Sequence, residues 1–93
     1  MAISIVLPNA LAAYARGNSA VRIEMPCATV SAALAELAAR WPAVTDRVLT
    51  EQGELRRHVN VFVGDESIGF MNGLATPLAG GETITIVPAV SGG

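Results

Sequence analysis

Three patterns in the sequence predict an α+β fold in which a single main helix packs across one face of a mixed sheet. Glu82-Thr83-Ile84-Thr85-Ile86-Val87-Pro88 alternates as a half-buried strand does, with Ile84 and Ile86 on one face and Thr83, Thr85 and Val87 on the other. Val30, Leu34, Leu37, Ala38 and Trp41 recur at helical spacing. Short runs rich in Ile and Val flank that helical stretch on both sides, giving the order strand, strand, helix, strand, short strand, strand. With 93 residues the chain has material for one core and no second domain.

The elements follow in chain order. Ala2 to Leu7 and Ala20 to Met25 read as two strands of a hairpin, with turn chemistry at Arg16-Gly17-Asn18-Ser19. After Pro26, Thr29 has the hydroxyl expected of a helix N-cap. Pro42 drives Trp41 out of helical geometry, so the helix ends there or a second short one begins through Val44, Val48 and Leu49. The polar run from Thr50 to Glu54 reads as a loop, and His58-Val59-Asn60-Val61-Phe62-Val63 as the next strand. Gly64-Asp65-Glu66 closes that strand with a turn. Ser67-Ile68 makes a short strand at most, and Asn72-Gly73 to Pro77 an irregular connection before Gly80-Gly81 opens the last strand. Residues 1–88 are thus expected to form the domain, and Ala89-Val90-Ser91-Gly92-Gly93 a flexible tail of small residues.

Composition excludes several function classes. The chain is 52% hydrophobic and 15% charged, too apolar for a disordered segment, yet no apolar run is long enough to span a bilayer uninterrupted. No membrane role is expected. A net charge of −2 and 4% aromatics supply neither a field for phosphates nor a platform for bases, so nucleic acid is not an expected partner. Cys27 is the sole cysteine, which rules out an internal disulfide and a Cys-rich metal site; no metal ligand set is expected. The N-terminus has no basic segment before its apolar run and reads as a strand, so the expected location is the cytoplasm. All six basic residues are arginine, which removes any lysine-based Schiff base or phosphate loop from the chain itself. With no Ser/His/Asp or Cys/His arrangement either, the protein is expected to be a cosubstrate of other enzymes and not an enzyme.

The candidate chemistry lies in the tail. Gly92 and Gly93 follow a strand-forming run directly, which places a peptide without side chains at the edge of a rigid scaffold. Such a peptide can enter a narrow active-site tunnel, Gly93 first, with Gly92, Ser91 and Val90 inserting behind it. Gly73-Leu74-Ala75-Thr76-Pro77-Leu78 and Gly80 through Gly93 resemble the C-terminal signature of the ubiquitin-like MoaD/ThiS sulfur carriers. Arg57 through Val63, with Asp65-Glu66 after it, resembles the CysO-like branch, the carriers of thiocarboxylate-dependent cysteine biosynthesis. Gly80 departs from the pattern, since relatives often carry Asp there.

The resemblance implies a β-grasp fold with a four- to five-stranded sheet, and a reaction cycle. An E1-like adenylyltransferase of the MoeB/ThiF kind would join Gly93 to AMP, consuming ATP with magnesium, and the carrier would bind no cofactor itself. A sulfurtransferase or other sulfur donor would then displace AMP to leave a C-terminal thiocarboxylate. In the CysO-like branch a PLP-dependent cysteine synthase accepts the sulfur, and an acyl shift and a metalloprotease cut release cysteine. In the MoaD branch the acceptor is a pterin precursor held by the molybdopterin synthase large subunit. A reading of another class, a ubiquitin-like protein modifier, also stays open: the absence of lysine does not stop Gly93 from joining a lysine elsewhere.

Other residues have plainer readings. Cys27 near the helix start is expected to be an inert small residue, and His58 is assigned no chemistry. Trp41 completes the apolar helix face, while Asp65-Glu66 and Glu51 to Glu54 belong to solvated turns. If Val59, Val61 and Val63 face the helix, Phe62 and Asn60 face away from it beside Thr83, Thr85 and Val87. Phe62 and Val87 are therefore the expected partner interface, with Phe62 as an exposed aromatic.

Overall fold

A computed structural model of the protein describes residues 2–88. The strands are β1 (Ile3–Val6), β2 (Ala20–Ile23), β3 (Val59–Val63), β4 (Glu66–Ser67) and β5 (Thr83–Pro88). They form one sheet in the order β2-β1-β5-β3-β4. The central pair, β1 with β5, is parallel, and every other pair is antiparallel, so the sheet is mixed as expected.

Alternation decides which way each strand faces. Ile3, Ile5, Val21, Ile23, Val59, Val61, Ile84 and Ile86 all turn into the core, as period-two patterning requires. The helix α2 (Val30–Arg40) covers this face with Val30, Ala33, Leu34 and Leu37. Thr29 caps it, its hydroxyl accepting a 3.1 Å bond from the Ala32 amide. Pro42 cannot continue the helix. Trp41 takes φ −133° and ψ 70°, and α3 (Pro42–Val48) starts with the proline at its first turn, where a missing N–H costs nothing. α3 buries Val44 and Val48, so the second of the two expected outcomes at Pro42 is the one adopted.

The first hairpin is not a simple one. β1 and β2 pair antiparallel, but Pro8 to Ala15 between them forms α1 (Asn9–Ala12) and a 3-10 turn (Ala13–Ala15), which bury Ala12 and Ala15. The expected turn at 16–19 is only the end of this connection. Small residues in that stretch carry no period that separates a helix from a loop, yet they pack closely against the core. Leu7 N donates to Ser19 O at 2.7 Å. In an antiparallel ladder the bonded pairs alternate, so Arg22 opposite Ser4 turns its carbonyl away from β1, where Arg40 Nη1 donates to it at 2.8 Å.

The connection before β5 is tied to the start of α2. Thr76 is fully buried; its hydroxyl donates to Gly73 O at 2.6 Å and accepts from Asn72 N, while its own carbonyl accepts from Val30 N at 3.1 Å. Glu82 then fixes the turn into β5, each carboxylate oxygen accepting one amide at 2.7 Å, from Ala79 and Gly80. Gly80 and Gly81 hold φ of 110° and 86°, conformations that side chains oppose. That accounts for glycine at position 80.

Candidate functional site

The last described residue, Pro88, ends β5 opposite Val59 on β3. The expected tail of residues 89–93, with the insertion residues Val90, Ser91 and Gly92 and the adenylation site Gly93, lies outside the described residues. What the structure describes is the scaffold that carries it.

Two surfaces meet at the root of the tail. The first is the face of the sheet opposite the helices. The pairings align Ala20, Val6, Thr85, Phe62 and Ser67 in one row across all five strands, with Val87 opposite Asn60 in the next. Phe62 and Val87 therefore share this face as the alternation requires. Phe62 is not the exposed aromatic expected of it, however: flanked by Thr85 and Ser67, it is half-buried, as is Val87. The exposed phenylalanine is Phe70, at 87%, in a 3-10 turn (Ile68–Phe70) after β4. Its signal was present in the sequence: Phe70-Met71 sits between Gly69 and Asn72-Gly73, where no alternation could bury it.

The second surface is an open pocket of about 610 Å³ around the end of β5. Its apolar floor includes Leu11 from α1 together with Val59, Ile86 and Pro88. Tyr14, Arg47, Arg56 and His58 rim it, with Asp46 as the acidic member. Arg47 lays its guanidinium over the Tyr14 ring, 3.7 Å from the centroid, and donates to Ala43 O. Arg56 Nε donates to the Asp46 backbone carbonyl at 2.9 Å. Among the described residues, no carboxylate pairs with either guanidinium.

Cys27 is buried, and its thiol donates to Met25 O. Burial, and after it the charge of Glu36, push the thiol above its ordinary value. That is the electrostatics of a resting thiol and not of a nucleophile. Trp41 is partly buried against the core. Among the described residues no group of His, Cys, Asp and Glu is arranged to hold a metal ion, and no helix is long and apolar enough to cross a membrane.

The five-stranded mixed sheet with its covering helices is the β-grasp, ubiquitin-like architecture. Residues 5–93 match the ThiS family, and the chain belongs to that family. It is 34% identical over 95 residues to the sulfur carrier protein CysO of Mycobacterium tuberculosis (strain ATCC 25618 / H37Rv), with all of both chains covered. It is 38% identical over 78 residues to small archaeal modifier protein 1 of Haloferax volcanii, covering 83% of this chain and 85% of that one. Among solved structures, a chain of the Amycolatopsis orientalis BexX/CysO complex superposes with a TM-score of 0.85 at 33% identity, covering 98% of this chain and 99% of that one.

Proposed function

We propose that this protein is a sulfur carrier for cysteine biosynthesis, acting through the C-terminal carboxylate of Gly93. The observation that carries this reading is the similarity to CysO over the whole of both chains, together with a family match that runs through Gly92-Gly93. A carboxylate is a poor acyl donor. Attack of a Gly93 oxygen on the α-phosphorus of ATP gives the acyl adenylate and expels pyrophosphate; hydrosulfide from a donor then attacks the acyl carbon, the C–O bond to AMP breaks, and a thiocarboxylate remains. Activation falls to an E1-like adenylyltransferase with ATP and magnesium, and a PLP-dependent cysteine synthase takes the sulfur, with a metalloprotease freeing the cysteine afterwards. The carrier's own contribution is to present the tail. β5 is paired on both sides, to β1 and to β3, and Phe62 and Val87 offer a partner a contact face towards its end.

The test is incubation with a MoeB/ThiF-type enzyme, ATP and a sulfide source, followed by intact mass measurement. The protein is expected to gain the difference between sulfur and oxygen, mapped to Gly93. The same gain in a variant lacking Gly93, or mapping to Cys27, would refute the proposal. A second reading, a protein modifier, draws on the similarity to small archaeal modifier protein 1. It predicts an amide bond from Gly93 to a lysine of another protein under the same activating conditions.

A further inference from the structure

The pocket at the end of β5 is unlike the rest of the surface. The chain carries a net charge of −2, yet Arg47, Arg56 and His58 line one opening, Arg57 is exposed beside it, and Asp46 is the single acid among its lining residues. The two guanidiniums are also held in place before anything binds. Arg47 is fixed by the Tyr14 ring and Ala43 O, and Arg56 by Asp46 O, so each has an anchored end and further N–H donors turned to no carboxylate among the described residues. Anchoring removes part of the entropy that an arginine loses on pairing. Beneath them lies an apolar floor that includes Leu11, Val59 and Ile86.

We infer that this pocket is a docking site for an acidic segment of the enzyme that activates the tail, one that seats an apolar side chain on the floor and a flanking carboxylate on Arg47 and Arg56. The inference rests on the carrier reading above and adds the partner's chemistry to it. Position supports it: Pro88 and Val87 line the pocket, and Val87 also lies on the open face of the sheet, so an enzyme that grips the tail root covers both surfaces at once. Charge complementarity of this kind steers association and fixes the approach without touching the reacting atoms.

The experiment measures ATP–pyrophosphate exchange by the adenylating enzyme as a function of carrier concentration and salt. The double variant Arg47→Ala/Arg56→Ala is expected to raise KM for the carrier about tenfold, with kcat unchanged and the salt dependence of KM largely lost. Arg47→Lys/Arg56→Lys is expected to recover part of the loss, which a merely structural role would not predict. An unchanged KM and salt slope in the alanine variant overturns the inference. A lowered KM overturns it as well, because it would mean that the pocket holds this chain's own Gly93 carboxylate out of reach. Exchange that persists with a variant lacking Gly93 but otherwise unchanged would sink the carrier reading itself, independently of the pocket.

Discussion

A single carboxylate closes the turn that leads into β5. Glu82 accepts the Ala79 and Gly80 amides, and these bonds, the Ala79 bond first, hold its carboxyl below the ordinary glutamate value. A group whose pKa is lowered by folding stabilises the protein above its unfolded value, about 4.3 for glutamate, and that contribution is lost as pH falls through the folded value. Glu82→Gln, which keeps one acceptor oxygen, is expected to melt a few degrees below the wild type at pH 7. The gap should shrink below about pH 4.3, as the wild-type carboxyl takes up its proton. Calorimetric melts from pH 7 to pH 3 check this, and a gap constant across that range would show that the charge is immaterial. The sequence reading took Gly80-Gly81 as the opening of the last strand. It did not show that Glu82 would close a turn with its side chain, because Glu82 looked like the first residue of the alternating strand, which begins at Thr83.

The strands show where period-two reasoning is sufficient and where it stops. In β3 and β5 alternation predicted both faces, and burial of Val59, Val61, Ile84 and Ile86 follows it. What alternation cannot supply is the depth of the outward residues, which depends on neighbours contributed by other strands. Phe62 is half-buried because Thr85 and Ser67 stand on either side of it, and pairing partners are not written in a strand's own sequence. Phe62→Ala should therefore lower stability by about 1 kcal/mol, well under the 3–5 kcal/mol of a fully buried phenylalanine. It should weaken binding of the activating enzyme more than tenfold. Phe70→Ala, by contrast, should leave the melting temperature unchanged. Titration calorimetry beside thermal melts measures both effects, and a stability loss for Phe62→Ala near the core value with intact binding would reverse the assignment of the faces. α1 escaped the sequence reading for a related reason: Asn9-Ala10-Leu11-Ala12 is too short to display a helical period, and only its contact with α3 and the core gives it a defined form.

At the scale of the whole molecule, the Gly92-Gly93 motif on which the proposed function rests could be read from the sequence, and the pocket at the end of β5 could not. Two glycines after a strand are adjacent in sequence. Leu11, Arg47, Arg56 and Ile86 come from four separate segments and meet only when α1, α3 and β5 pack together. On the proposed function, the identity of the sulfur acceptor is a property to be read from the mass of the whole chain. Attack by the thiocarboxylate sulfur on an acceptor bound to a cysteine synthase, followed by sulfur-to-nitrogen acyl transfer, leaves cysteine amide-linked to Gly93. The thiocarboxylated protein, mixed with such a synthase and an activated serine, is therefore expected to gain one cysteine residue by mass spectrometry. A carrier that never gains cysteine, and returns to its starting mass only with the molybdopterin synthase large subunit and its pterin precursor, would belong to the other branch. A carrier must also visit several enzymes without sticking to its own copies, and the outer edge of β2 is where such self-association would begin. There an open row of backbone groups can recruit a strand from a second molecule. The bond from Arg40 to the outward carbonyl of Arg22 occupies that row with a bulky, charged side chain. One guanidinium at the end of α2 thus occupies an acceptor that an added strand would need for its ladder.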